Sequence, residues 1–468
     1  MPPSRPRPAW LVPAIVACAF FMENLDSTII ATALPTMARS FGENPADLNI
    51  GIIAYVLTLA VFIPISSWVA DRFGSRTVFC AAIVVFVAAS VLCGMSDTLA
   101  GFTAARILQG GAGAMMVPVG RMIVLRTTSK AQMMRAIATI TWPALVAPVI
   151  GPSVGGFIAT YLDWRWIFLI NVPIGIAGLL LVWRFVPDLF SADRRPFDAT
   201  GFVLSAAALA SLMSGLGLLA RARPDPLPIA SLLAAAIVAG TLAIRHMRRV
   251  PHPLIGLAPF DVGTFRDTIV GGSFSRFAVS AGLFLMPLMF QVGFGMSAFQ
   301  AGMLMLAGAV GSLSTKAIAI GVVRRFGFRT VLTANSALIA LATLACAMLS
   351  AHTPTAAMVL AMLSCGFTRS LQFTCTNTLA FADMPQERMG MASMLSTMLQ
   401  QIVMGLGVAF SALTLRTSAW LRGAAPDAMT ASDFRVALVA LAVVAAMAAV
   451  RFSRLEGDAG AEVSGRRV

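Results

Sequence analysis

The sequence predicts an all-helical integral membrane protein: two bundles of six transmembrane helices with two further helices inserted between them, fourteen crossings in all. Three observations carry that prediction. Charged residues make up 12% of the chain and hydrophobic ones 58%, with a mean hydropathy of +0.85, far from the roughly 25% charged and 45–50% apolar content of soluble domains. Apolar runs of about 20 residues, each long enough to cross a ~30 Å hydrocarbon core as a helix, follow one another along nearly the whole chain. Finally, one string occurs twice, 253 positions apart, each time where an apolar run meets basic residues. Val69-Ala70-Asp71-Arg72-Phe73-Gly74-Ser75-Arg76-Thr77-Val78 is echoed by Val322-Val323-Arg324-Arg325-Phe326-Gly327-Phe328-Arg329-Thr330-Val331, with Arg, Phe, Gly, Arg, Thr and Val in their places. A gap-free internal repeat in a membrane chain marks two like halves, the construction of many secondary transporters.

In chain order the first bundle takes the runs near 10–33, 48–70, 77–95, 98–125, 134–160 and 165–187. Two more lie near 198–220 and 227–247. The second bundle takes those near 267–292, 298–323, 328–350, 354–381, 389–415 and 434–453. The repeat decides this grouping, because its offset is too long for six spans per half and two helices must lie between the copies. Polar linkers set the middle pair apart: Pro187 to Pro196, with Arg194 and Arg195, and Arg245 to Phe260, with Arg248, Arg249, His252 and three prolines. The turn Arg223-Pro224-Asp225-Pro226 suits a connection in water. The resulting boundaries are 1–187 for the first bundle, 188–260 for the linkers and extra helices, 261–455 for the second bundle, and 456–468 for a polar cytoplasmic tail of disordered character.

The first run follows Met1-Pro2-Pro3-Ser4-Arg5-Pro6-Arg7-Pro8 and ends near Ala31-Thr32-Ala33, the outline of a signal peptide. It is too long for a signal h-region and carries Glu23 and Asp26, so it reads as an uncleaved helix. Of the 34 Lys and Arg residues, 22 fall in tails and loops on the side of both termini, seven on the opposite side and five within spans. The positive-inside rule then places both termini in the cytoplasm of a multi-pass protein of a bacterial inner membrane. The net charge of +14 is thus a topology signal and not a nucleic-acid footprint. Six cysteines (Cys18, Cys80, Cys93, Cys346, Cys365 and Cys375) lie in or at the ends of spans without metal or redox spacing, and read as packing residues. There is no P-loop, and His246, His252 and His352 form no cluster. Nothing points to an enzyme, a catalytic residue, a metal or a cofactor.

Four strings carry chemistry. In Ser67-Trp68-Val69-Ala70-Asp71-Arg72-Phe73-Gly74-Ser75-Arg76, an Asp beside basic residues at a helix end can make charge-assisted contacts that break when two halves rock, with Gly74 supplying the turn. In Arg106-Ile107-Leu108-Gln109-Gly110-Gly111-Ala112-Gly113, Arg106 lies about 12 Å into its span, where an ionisable group is functional by default and needs a partner. Ala147-Pro148-Val149-Ile150-Gly151-Pro152-Ser153-Val154-Gly155-Gly156 holds five Gly or Pro residues in ten, so Pro152 kinks the span and the glycines leave a smooth packing face. In Glu23-Asn24-Leu25-Asp26-Ser27-Thr28-Ile29-Ile30-Ala31-Thr32-Ala33-Leu34-Pro35, Glu23 and Asp26 share a helix face. Burial and mutual repulsion favour a bound proton on at least one of them. Asp26 lies about 24 Å from the cytoplasmic face and Arg106 about 12 Å from the outer one. Across a ~30 Å core their levels differ by roughly 6 Å, within reach of an Arg side chain.

Together these strings resemble the fourteen-helix drug:proton antiporters of the major facilitator superfamily, and within them the MdtD-type multidrug transporters, over essentially the whole chain. The resemblance implies the major facilitator fold, with the bundles related by an axis along the membrane normal. It implies that Asp71, Arg72, Gly74 and Arg76 form a cytoplasmic gate, on a match to G-x-L-a-D-R-x-G-R-K in which Ser67 and Ser75 replace a Gly and a basic residue. It assigns proton coupling to Arg106, in the helix 4 motif with Gln109, Gly110 and Gly113. Gly151, Pro152, Gly155 and Gly156 match the antiport string G-x-x-x-G-P-x-x-G-G, with Ala147 in place of its first Gly. Asp26 matches L-D-x-T…A-L-P and would carry the proton; Glu23 lies outside that match, and its part rests on the shared face alone. Asp163-Trp164-Arg165-Trp166-Ile167-Phe168-Leu169-Ile170-Asn171-Val172-Pro173-Ile174-Gly175 also resembles a family string, with its tryptophans at the outer interface. The implied function is proton-coupled export of small molecules, drug or multidrug, by a monomer in a lipid bilayer, with no nucleic acid as partner.

The interior cations pull the other way. Arg106, Arg121, Arg276, Lys316 and Arg369 lie within spans, against only Glu23 and Asp26 among comparable acids. Such a balance suits an anion better than a lipophilic cation, unless some of the five snorkel from helix ends, Arg121 above all. Arg276, Lys316 and Arg369 are the candidate cavity residues. Export of an organic anion or carboxylate metabolite is therefore the alternative, with a proton-coupled symporter or a non-transporting sensor further off. Met391, Met394, Met398 and Met404 pack a core or line a pliable pocket.

Overall fold

In hydrocarbon only a helix or a closed barrel satisfies its own backbone N–H and C=O groups, and here the long apolar runs become helices. The computed structural model describes residues 10–30, 33–43, 48–190, 196–219, 225–423 and 429–464, apart from the side chains at 35, 49, 144, 145, 148, 149, 152, 153, 160, 298, 299, 316, 317 and 464. The helices are α1 (Leu11–Ile29), α2 (Ile50–Phe73), α3 (Ser75–Met95), α4 (Leu99–Thr127), α5 (Lys130–Tyr161), α6 (Trp166–Phe185) and α7 (Ala199–Leu219). They continue as α8 (Pro226–Met247), α9 (Gly263–Gly293), α10 (Ala298–Ala347), α11 (Thr355–Leu379), α12 (Gln386–Leu421) and α13 (Ala431–Phe452). Among the described residues, 12 helices are long and apolar enough to cross a membrane. The Ala31-Thr32 step, Arg194, Arg195 and the Arg223-Pro224 turn lie outside the described residues.

The sequence repeat is also a repeat of backbone geometry. Gly74, between α2 and α3, has φ 88° and ψ 134°, and Gly327 has φ 77° and ψ 161°. Side-chain-bearing residues avoid that region and glycine does not. Gly327 breaks the 50-residue α10 at the place where the sequence expects a loop. The first helix is shorter than the apolar run suggests: α1 stops at Ile29, and a separate helix, Leu34–Phe41, ends at Gly42 with φ 69°.

The helices form two compact units. The first comprises Met1–Ala210, Val238–Leu257 and Pro385–Met398. Its core gathers Leu25, Ile29, Phe102, Trp164 and Phe168, with the Phe41 ring edge-on to Trp164 at 5.5 Å. Trp164 is therefore a core residue, 5% exposed, and the interfacial position expected of both tryptophans falls to Trp166, 53% exposed. Asp198 ties down the inserted pair by accepting hydrogen bonds from Gly201 N (2.8 Å), His246 Nε2 (2.8 Å) and Leu254 N (3.1 Å). Burial works against its charge, but these three donors hold its carboxyl below the ordinary carboxylate value.

The second unit comprises Ser211–Ile237, Ala258–Met384 and Leu399–Val468. Leu285, Phe290, Phe434, Leu438 and Leu441 form its core. There α10 and α11 approach so closely that a Cβ on Gly366 would lie 1.8 Å from Gly308 O, and one on Gly311 2.1 Å from Leu363 O. Small residues permit such contact where lipid offers no hydrophobic drive between helices. The same approach brings Cys346 Sγ and Cys365 Sγ to 3.6 Å, a pairing invisible in their spacing. The tail, read from composition as disordered, carries a short helix, Ala461–Ser464, with Val463 buried.

Candidate functional site

Arg106, Gln109, Gly110 and Gly113 are spaced three, one and three residues apart and so share one face of α4. Arg106 donates through NH1 to Asp26 Oδ2 at 2.7 Å and to Gln109 Oε1, and through Nε to Gly51 O at 3.5 Å. Its guanidinium lies 4.3 Å from the Tyr55 ring centroid, a cation–π contact. The other Asp26 oxygen accepts from Gln109 Nε2 and from Asn171 Nδ2, both at 2.9 Å. Ser90 Oγ accepts from the same two amides at 2.8 and 3.1 Å. Arg106 and Asp26 are buried, so this is an ion pair in a low-dielectric core with its acceptors filled. Gly110 admits the approach of α2, since a Cβ there would sit 2.5 Å from Tyr55 O.

One helical turn before Asp26, Glu23 has a different setting. It is 6% exposed, and its Oε2 has no hydrogen-bond partner among the described residues. The Tyr55 hydroxyl is likewise buried without a partner among the described residues. Both face Gly113, where a Cβ would lie 3.2 Å from Tyr55 Oη and 3.4 Å from Glu23 Oε1.

The string around Asp71 is divided between two partners that sequence reading missed. Asp71 Oδ1 accepts from Arg126 NH2 at 3.2 Å. Asp188 accepts from Arg76 N at 3.2 Å and Thr77 Oγ1 at 3.1 Å, with Arg76 NH2 3.7 Å away. Gly74 makes room for it, as a Cβ there would meet Asp188 Oδ1 at 2.5 Å. Arg72 is exposed and joins neither pair. Beside the Asp71 pair, a Cβ on Gly390 would lie 2.8 Å from Met122 Sδ and 3.5 Å from Arg126 NH2, and Ser393 Oγ donates to Pro118 O at 2.9 Å.

In α5, a Cβ on Gly151 would meet Thr28 Oγ1 at 2.3 Å, whereas Gly156 has open space and Gly155 is buried. Residues 130–161 are helical throughout, and the Pro152 side chain lies outside those described. The contact recurs in the second unit, where a Cβ on Gly407 would meet Ser280 Oγ at 2.4 Å.

The interior cations separate as well. Arg276 NH2 donates to Asn377 Oδ1 at 2.7 Å and stacks over Phe373. Arg369 NH2 donates to Ser312 Oγ at 3.1 Å. The Lys316 side chain lies outside those described. Arg121 does not snorkel: it is 7% exposed and donates to Ser396 Oγ at 3.4 Å. Tyr55 and Ser90 escaped sequence reading because each is a single polar residue in an apolar run, and Asn171 was read only as part of the string that opens α6.

The chain belongs to the Major Facilitator Superfamily, whose pattern matches residues 16–408. It is thereby a multi-pass membrane transporter of small molecules and not an enzyme. Among its relatives, a protein of Citrobacter koseri provisionally named multidrug resistance protein MdtD is 36% identical over 447 residues, covering 95% of this chain and 94% of that one. Its namesake in Serratia proteamaculans is 37% identical over 461 residues, covering 95% and 93%. Two solved structures share the fold. The human organic anion transporter MFSD10 has TM-score 0.66 at 14% identity, covering 95% of this chain and 99% of its own. The proton:xylose symporter XylE has TM-score 0.65 at 15% identity, covering 98% of each.

Proposed function

We propose that this chain exports small amphipathic molecules, of the drug or multidrug kind, in exchange for protons by alternating access in a bacterial inner membrane. Both termini are then cytoplasmic, and the chain crosses fourteen times as a monomer: α5 is a crossing, and Gly327 divides α10 into two. Residues 1–187 and 261–455 are the two bundles, 188–260 the insert and 456–468 the tail. The multidrug resistance names of its relatives support the substrate class. Asp71, Arg72, Gly74 and Arg76, with Arg126 and Asp188, form the cytoplasmic gate, and the α5 glycines support the antiport direction.

One observation carries the coupling: two buried carboxylates, one turn apart, have opposite surroundings. Asp26 has a guanidinium and two amides on its oxygens. Glu23 Oε2 has no donor among the described residues, and a buried carboxyl without donors is tolerated when it holds a proton. Glu23 therefore carries the exchangeable proton, in place of Asp26, to which the family resemblance pointed. Asp26 and Arg106 are the fixed charges beside it. A substrate entering from the cytoplasm displaces the proton from Glu23, and a proton from outside releases the substrate through the same alternately exposed site.

The test is transport in proteoliposomes under an imposed pH gradient. Glu23→Gln should abolish gradient-driven export while leaving substrate exchange, and Asp26→Asn should lower both. If Asp26→Asn alone loses coupling and Glu23→Gln behaves as wild type, the proton rides on Asp26. A second reading, export of an organic anion, is favoured by one observation: no carboxylate lies within ion-pair distance of Arg121 or Arg369 among the described residues.

A further inference from the structure

Arg106 and Arg121 stand on the same helix, about 22 Å apart along its axis, and their charges are met differently. Arg106 has a carboxylate partner in Asp26, donates also to Gln109 and Gly51 O, and lies over the Tyr55 ring. Arg121 makes one hydrogen bond among the described residues, to Ser396 Oγ at 3.4 Å, at the long end of the useful range. A guanidinium carries five N–H donors and does not shed its charge in a protein, so most of its donors are unused. The contrast with Arg369 locates them. Arg369 also lacks a carboxylate, but its unused Nε is sealed in by protein. No nitrogen of Arg121 is sealed in that way, and 7% of the residue remains accessible. Its unused donors therefore keep accessible surface.

We propose that Arg121 and Ser396 form a subsite for the carboxylate of an organic anion. A planar fork of N–H donors matches two carboxylate oxygens, which a point charge does not. Ser396 Oγ, which accepts from NH1 at 3.4 Å, holds the fork in place. A buried cation is costly without a counter-charge, so an arriving carboxylate supplies one, whereas an amine is repelled. This subsite deepens the reading of the chain as an exporter by naming a substrate class, and rests on that reading for transport alone.

The experiment uses the full chain in nanodiscs and measures binding of 1-naphthoate, 1-naphthamide and 1-naphthylmethylamine by calorimetry and thermal shift. Naphthoate should bind and stabilise wild type while the neutral and cationic isosteres do neither. Arg121→Gln should weaken naphthoate by about tenfold or more, and Ser396→Ala by about two- to fivefold. Arg121→Lys should fall between wild type and Arg121→Gln. Equal binding of acid and amide by wild type overturns the proposal, as does wild-type affinity in folded Arg121→Gln. If Arg121→Gln does not fold, unchanged naphthoate affinity in both Ser396→Ala and Arg121→Lys overturns it instead. A pH-driven export assay with naphthoate keeps the two readings apart: binding that depends on Arg121 without export removes the exporter reading and leaves the subsite standing.

Discussion

Removing the charge of Asp26 while keeping its shape is the sharpest test of the buried network. Asp26→Asn strands a guanidinium whose one carboxylate partner among the described residues lies 2.7 Å away. It also turns one acceptor into an N–H₂ group facing donors from Arg106, or from Gln109 and Asn171. Breaking a buried pair by removing one partner costs about 3–5 kcal/mol. At about 2–4 °C per kcal/mol for a unit of this size, the melting point should fall by about 6–20 °C. The assay is thermal unfolding of purified protein in detergent, followed by loss of the monodisperse chromatographic peak. Pairing the change with Arg106→Gln should return much of the loss, because a neutral network is far less costly than a lone buried cation. The reasoning is refuted if Asp26→Asn melts within about 2 °C of wild type, or if the double variant is as unstable as the two single losses added.

Gly151→Ala should lower both stability and transport, because its Cβ meets Thr28 Oγ1 at 2.3 Å, whereas Gly156→Ala, with open space, should leave both near wild type; melting and export rates check the pair. Asp198→Ala should cost about 1–2 kcal/mol at neutral pH, as caps do. The Asp198 carboxyl is held below its ordinary value, so this stabilisation is complete above about pH 4 and disappears as pH falls through the lower folded value. Melting curves of wild type and variant should therefore converge in acid. Asp71→Asn and Arg126→Gln should each lower transport several-fold with little change in melting, since a partly exposed pair is worth about 1 kcal/mol or less; unchanged rates in vesicles would remove the gate.

Class, repeat and candidate motif were legible in the sequence because each is a property of contiguous chain. Hydropathy marks a span wherever it lies, and the Phe73-Gly74 and Phe326-Gly327 turns repeat because both need a backbone that only glycine adopts readily. The spacing of Arg106, Gln109, Gly110 and Gly113 defines one helix face by periodicity alone, and residue depth was enough to bring Asp26 to the level of Arg106. Partner choice was not legible. That Asn171 and Ser90 complete the Asp26 cluster, that Asp71 takes Arg126 and Arg76 takes Asp188, and that Glu23 is left without a donor all depend on how far each helix is rotated against its neighbours. Trp164 was misplaced for the same reason, being read from depth without rotation. In a bilayer every apolar face can meet lipid, so hydrophobicity does not choose the rotation. Small residues and polar contacts do, and their geometry exists only once the helices are packed.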